Sequence, residues 1–333
     1  MTERSLPAER GVEAARPELG GGAATPSFHL PDGAPGGIPA GLGETRIGQR
    51  SFRWGLATHV MGIVNVTPDS FSGDGLLAAG GAAAVPEASS PAAVAAAVAA
   101  AVALARSMAE DGADLVDVGG ESSRPGHDPV GADVELARVI PVVAAIRAAL
   151  PELPISVDTT KPSVAAAAID AGADLVNDVW GVAADDSLAR LAAERRVPLV
   201  VMHNRAEARY RVLVAEVIAD LEAALERALA AGCRWDDLLV DPGFGFGKTP
   251  AHNLELLRKL ETLHVLGRPI VLGTSRKSTL GKVLDLPPGE RLEATLATTA
   301  LAAAAGVDVV RVHDVRPNVR VARMTDAVVR SGR

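Results

Sequence analysis

The sequence predicts an α/β fold, a (β/α)8 TIM barrel forming a single domain, and three observations carry that prediction. Eight short β-branched runs alternate with longer Ala/Leu/Arg stretches of helical period. Several helical stretches end on the same Gly-containing punctuation, EDGADLV at 110–116, DAGADLV at 170–176 and AAGVDVV at 304–310. Each predicted strand also runs out into polar residues, and it is at the C-terminal strand ends that a barrel carries its function.

The strands are predicted at 59–66, 114–118, 155–157, 175–177, 198–203, 238–240, 269–272 and 309–312. Helices are predicted near 91–111, 132–150, 161–171, 185–195, 212–232, 251–264 and 290–305, with a last one near 315–330. Eight such units in roughly 280 residues suit a barrel, whose usual size is about 250. An open doubly wound sheet is the runner-up, but no G-x-G-x-x-G follows the first strand. Residues 46–333 are expected to form the barrel domain, and residues 1–45, rich in Gly and Pro without an apolar stretch, a disordered N-terminal tail with no secretory signal.

Composition narrows the function. The 333 residues are 48% hydrophobic but only 3% aromatic, so the core must be built from Val, Leu, Ile and Ala. A net charge of -8 argues against nucleic acid or an anionic membrane as partner, since both need an excess of Lys and Arg. Any anionic ligand must then be held by a local cluster. The lone Cys233 excludes an intrachain disulfide and fits a cytoplasmic setting. The Ala-rich run 94–104 is only about three helical turns, too short to span a bilayer.

The strand ends read Asn65, Asp117, Asp158, Asn177-Asp178, His203-Asn204, Asp241, Thr274 to Ser278, and Arg311 to Asp314. A helix N-cap accounts for some of these, with Thr159, Asp185 and Asp314 the best candidates. Polar groups converging on one mouth stay desolvated unless a ligand uses them. Asp158, Asn177, Asp241 and Lys277 offer acceptors and donors suited to a flat, nitrogen-rich heterocycle. Arg124, Arg311, His313 and Asn65 form a cationic and polar set suited to phosphate or pyrophosphate.

The set MGIVNVTPDSF, DVGGESSRPG, ISVDTTK, NDVWG, DPGFGFGKTPAHN, SRKSTLG and RVHDV, in that order over residues 59 to about 325, resembles the dihydropteroate synthase family. The resemblance implies condensation of 6-hydroxymethyl-7,8-dihydropterin pyrophosphate with p-aminobenzoate, releasing pyrophosphate and forming 7,8-dihydropteroate for folate synthesis. It implies pterin contacts from Asp158, Asn177, Asp241 and Lys277, and pyrophosphate contacts from Asn65, Arg124, Arg311 and His313. It also implies a Mg2+ cofactor on Asn65, and Asp158, Lys277, Arg311 and His313 as catalytic residues. The p-aminobenzoate pocket it implies consists of Ser123, Pro125, Phe246, Lys277 and Ser278, closed by Phe71 on the first loop. A homodimer and competition by sulfonamides also come with it. Ser123 stands where many members carry Thr, which keeps the hydroxyl.

Two stretches depart from the family pattern. VMHNRAEARYR has Asn204 where a Met is common and adds Arg205, Arg209 and Arg211, and the segment 75–90 is longer and richer in Gly and Ala. GFGFGK at 243–248 lacks phosphate-loop spacing, and its glycines are expected to let backbone approach the ligand. His59, His127, His252 and His264 lack metal-ligand spacing and are expected in surface or capping roles. Two rival readings are a pterin-binding methyltransferase barrel, which has no use for the SRK and RVH clusters, and a catalytically silent relative.

Overall fold

The computed structural model describes residues 41–66, 91–121, 130–180 and 185–330. It opens with a hairpin of β1 (Glu44–Ile47) and β2 (Arg50–Arg53), closed by a two-residue turn in which Gly48 takes φ 60°. The strand β1 thus begins two residues before the barrel domain was expected to start. The eight predicted strands follow as β3 (His59–Asn65), β4 (Leu115–Gly119), β5 (Ile155–Asp158), β6 (Leu175–Asp178), β7 (Leu199–Met202), β8 (Leu238–Asp241), β9 (Val271–Leu272) and β10 (Val309–Val312). All of them pair in parallel, in the order β8-β7-β6-β5-β4-β3-β10-β9. The two ends of that row meet through a Val240–Ile270 bridge, with Val240 N donating to Pro269 O at 2.9 Å, so the sheet closes on itself.

Helices α1 (Pro91–Glu110), α2 (Ala132–Ala149), α3 (Pro162–Asp170), α4 (Ser187–Arg195), α5 (Leu213–Ala230), α6 (Pro250–Arg258), α7 (Ser278–Leu284), α8 (Leu292–Ala304) and α9 (Val315–Val329) alternate with the strands. The expected helix 251–264 stops at Arg258 and gives way to a 3-10 turn over Leu260–Leu266. Sequence periodicity missed α7, because seven residues interrupted by Gly281 carry too little pattern. A Cβ at that glycine would meet the Arg291 guanidinium at 2.3 Å and push it from its places on Leu286 O and Arg276 O. No helix among the described residues is long and apolar enough to cross a membrane.

Two apolar cores follow from strands buried on both faces. The larger lies between strands and helices and is dominated by Val, Leu and Ala. The smaller fills the barrel interior with Met61, Leu115, Leu175, Val200, Leu239, Val271 and Val309, and continues into Leu42, Ile47, Phe52 and Trp54 of the hairpin segment. The hairpin therefore seals the end of the barrel where strands begin. Trp54 Nε1 donates to Thr45 Oγ1 at 2.8 Å, and Thr45 Oγ1 in turn donates to Asp236 O at 2.6 Å, fastening the seal to the turn before β8.

The repeated punctuation has a shared geometry. Gly112, Gly172 and Gly306 end their helices at φ 98°, 113° and 85°, a conformation that a side chain would strain. The Asp two residues on then reaches across to the neighbouring strand: Asp114 accepts from Val60 N at 2.8 Å, Asp174 from Ile155 N at 2.9 Å, and Asp308 from Ile270 N at 2.9 Å. Asp308, fully buried, also accepts from Gly55 N at 2.8 Å. Replacing Asp308 by Ala strands both amides and should lower unfolding free energy by about 3 kcal/mol. Urea titration checks this, and a loss under about 1 kcal/mol would mean the amides find other partners.

Candidate active site

Strand alternation builds the site. Side chains along a strand point to opposite faces with period two, so a residue two beyond an interior apolar residue also points inward. On β4, Leu115 is followed by Asp117; on β6, Leu175 by Asn177; on β8, Leu239 by Asp241; on β10, Val309 by Arg311. By the same spacing Asn65 follows Met61 and Ile63 on β3, and Asp158 follows Ser156 on β5. A polar layer thus rests on the apolar plug, at the end opposite the hairpin.

Arg311 holds the layer together. Its Nε donates to Asp117 Oδ2 at 2.5 Å and its Nη2 to Asp158 Oδ2 at 2.8 Å, and both carboxylates are nearly inaccessible. Asn177 Nδ2 donates to the same Asp117 oxygen at 3.1 Å. Gly119 pairs with Asp158 in register, and a Cβ there would touch Asp158 only in ordinary contact, 3.4 Å from its Cβ. Burial pushes the Asp158 carboxyl up to about 7, with Arg311 opposing the shift. Burial likewise raises Asp241, opposed chiefly by Lys277, and brings the Lys277 ammonium down to about 8 against the pull of Asp241.

The sixth and seventh loops finish the mouth. Lys277 Nζ donates to Phe244 O and lies 4.2 Å from the Phe246 ring centroid. Asp241 Oδ1 accepts from Gly243 N at 2.7 Å. The glycines here differ from the sequence expectation in what they meet. Cβ atoms at Gly243 and Gly247 would collide with His203 O at 1.8 Å and Arg205 O at 2.3 Å, so these positions let the sixth loop lie on the fifth. Lys248 Nζ clamps that loop by donating to Gly243 O, Phe246 O and His203 Nδ1 at 3.0, 3.1 and 2.8 Å. Burial holds His203 down to about 4, so its neutral ring accepts from Lys248 while its Nε2 faces Asp220 at 3.1 Å. On the seventh loop, Ser275 Oγ lies 2.9 Å from His313 Nδ1 of the eighth, and Arg276, at φ 56°, forms a two-pronged ion pair with Asp314. Asp314 is therefore an ion-pair partner, and its side chain does not cap α9.

Of the residues singled out from the sequence, Asp158, Asn177, Asp241, Lys277 and Arg311 converge on one rim, with His313 beside them on Ser275 and Asn65 half-buried at the end of β3. Phe246 lies under the Lys277 ammonium, and Ser278 is exposed at the first turn of α7. Phe71, Ser123, Arg124 and Pro125 lie outside the described residues, as does most of the segment 75–90. Asn204 ties the fifth loop to the fourth by donating to Val179 O at 3.1 Å, and Arg205 is engaged by Asp220 and Glu216. Among the histidines, His252 does cap α6 in a reciprocal pair with Thr249, whereas His264 is buried and meets Ala305 O at 2.8 Å. Sequence reasoning noted Asp117 only as a strand end and gave Ser275, His203 and Lys248 no role; the spacing Leu115-x-Asp117 was the signal available for the first.

The rim can accept hydrogen bonds from a ring edge through Asp158, Asn177 and Asp241 and offers cations through Lys277 and Arg311. Among the described residues no three His, Cys, Asp or Glu side chains group as a metal site. The neutral amide oxygen of Asn65 suits a Mg2+ held mainly by phosphate and water, the usual way that ion is bound.

A family model described as pterin binding enzyme matches residues 84–313. The dihydropteroate synthase of Clostridium beijerinckii is 43% identical over 286 residues, covering 86% of this chain and 99% of that one. Among solved structures, that of dihydropteroate synthase from Clostridium difficile with pteroic acid superimposes with a TM-score of 0.76 at 42% identity, over 84% of this chain and 100% of that one. The Xanthomonas albilineans dihydropteroate synthase with 4-aminobenzoic acid gives a TM-score of 0.72 at 42% identity, over 82% and 93%. The chain belongs to the pterin-binding enzymes and, within them, to the dihydropteroate synthases.

Proposed function

We propose that this chain condenses 6-hydroxymethyl-7,8-dihydropterin pyrophosphate with p-aminobenzoate, yielding 7,8-dihydropteroate and pyrophosphate, as a folate-pathway transferase of the cytoplasm. The observation that carries this reading is the buried layer in which Arg311 spans Asp117 and Asp158 beside Asn177, Asp241 and Lys277. Such a layer suits a ring with several N–H donors next to a group that leaves with negative charge.

In this reading Asp158, Asn177, Asp241 and Lys277 hold the pterin by its polar edge. Arg311, His313, Asn65 and Arg124 take the pyrophosphate. The bond between the pterin methylene carbon and the pyrophosphate oxygen breaks with its electron pair leaving on oxygen. The buried carboxylates stabilise the pterin cation that remains, and the guanidinium stabilises the departing anion. The arylamine nitrogen then forms the new C–N bond and loses a proton. Phe71, Ser123, Pro125, Phe246 and Ser278 would shape the place of p-aminobenzoate, where sulfonamides compete. Positioning and electrostatics suffice, without a covalent enzyme intermediate. Mg2+, held by Asn65 together with the pyrophosphate, supplies charge neutralisation to the leaving group when bound. A homodimer, which the family resemblance implies, would cover some of the exposed Val283, Leu284, Leu301, Met324 and Val328 of α7 to α9.

A product assay with the two substrates tests the reading. Dihydropteroate should form only when pterin pyrophosphate and Mg2+ are both supplied, and Asn65→Ala should raise the Mg2+ needed for half-maximal rate by about tenfold. Unconsumed p-aminobenzoate under full conditions would instead favour a silent relative.

Lys277→Ala should weaken pterin binding and lower kcat/KM by about 10²–10³-fold, as loss of an aimed donor does. Wild-type turnover would remove Lys277 from the site.

The pH dependence follows from two opposite shifts. Asp158, raised to about 7, loses its carboxylate form as pH falls through that value, and Lys277, lowered to about 8, loses its ammonium as pH rises through it. The kcat/KM profile of the free enzyme should therefore peak between these values, and Asp158→Asn should remove the acid limb. A flat profile from pH 6 to 9 would contradict this.

A further inference from the structure

Asp117 is fully buried, and one of its oxygens does two tasks. Oδ2 accepts from Arg311 Nε at 2.5 Å and from Asn177 Nδ2 at 3.1 Å, whereas Oδ1 is buried with no hydrogen-bond partner among the described residues. A carboxylate can only accept, so Asn177 must turn its NH2 toward Asp117 and its carbonyl away. Among the described residues nothing donates to that carbonyl, and Asn177 stands in the polar layer that faces the mouth. The neighbouring inward groups on β5 and β8, Asp158 and Asp241, are also acceptors.

We infer that Asp117 is a positioning residue: by taking the Asn177 NH2 it fixes the Asn177 carbonyl toward the mouth, and so makes this rim selective for rings that present an amino group beside a ring N–H. The inference rests on the proposed pterin reading and adds to it a cause for the choice of ring. Without Asp117, the Asn177 amide has no reason to prefer one face, and a ring bearing a carbonyl in place of the amino group binds as well. The same carboxylate holds the Arg311 guanidinium in line with Asp158, so selectivity and anion binding share one anchor.

The test measures affinity without turnover. Wild-type protein is titrated by calorimetry with 6-hydroxymethylpterin and with the counterpart that carries a carbonyl oxygen in place of the 2-amino group. We expect wild type to favour the amino compound by at least about 30-fold, the scale set by an unpaired or repelling polar contact. In Asp117→Leu the ratio should fall to within about threefold, because nothing at 117 then takes the Asn177 NH2. Adding the exchange Asn177→Asp to that variant should restore preference, since a carboxylate at 177 only accepts. A loss of stability alone would not move a ratio of affinities and would not be repaired by the exchange. Side-chain amide NMR of the wild type gives an independent reading: the Asn177 NH2 should stay protected from exchange with and without the pterin and show no contact to it.

An Asp117→Leu protein with the wild-type ratio, a double variant no more selective than the single one, or an Asn177 NH2 in contact with the pterin overturns the inference alone. Wild-type protein that binds neither ring overturns the functional reading and the inference with it.

Discussion

The pairing of Arg311 with two buried carboxylates is the interaction on which the rest of the site depends. Asp117 and Asp158 stand inside the barrel where an unpaired charge could not persist, and among the described residues Arg311 alone reaches both at hydrogen-bonding distance. That cation comes from β10, which pairs with β3 and so lies three strands from β5. Barrel curvature is what makes the arrangement possible: in a flat sheet, a strand three places away would not bring a guanidinium over that carboxylate. The layer below, with Met61, Leu115, Leu175, Val200, Leu239, Val271 and Val309, excludes water from its underside and strengthens each of these contacts.

Much of this was legible in the sequence, for reasons that lie in particular residues. Strands such as 175–178 and 238–241 announce themselves because a parallel strand buried on both faces needs an uninterrupted apolar run, and the run must end where a polar ligand is met. The convergence of Asp158, Asn177, Asp241, Lys277 and Arg311 follows once eight such ends are arranged around one axis. The β1–β2 hairpin was not legible: ETRIGQRSFR reads as a polar stretch, and only its alternate residues Thr45, Ile47 and Phe52 are buried. Asp117 was visible as a strand end but not as the anchor of Arg311, because a link between β4 and β10 spans 194 positions and leaves no local trace. The roles of Gly243 and Gly247 were hidden in the same way, since the backbone they accommodate belongs to the preceding loop.

The loops at the mouth are not independent pieces. Lys248 joins the sixth loop to His203 at the end of β7, and His203 and Arg205 join Asp220 on α5. Lys277 from the seventh loop leans on Phe244 and Phe246 of the sixth, and Ser275 carries His313 of the eighth. Lys277 and His313 are thereby held by a neighbouring loop as well as by their own, which is the kind of support that keeps a reacting geometry within narrow limits.

The plug formed by Ile47, Phe52 and Trp54 turns the barrel into a blind well. Among the described residues, the strand-end rim is then the way in and out of the well. For a two-substrate condensation, such a floor favours the arrival of the deeper-seated molecule first. A polar hairpin with no part in the chemistry thereby bears on the order in which the partners can meet.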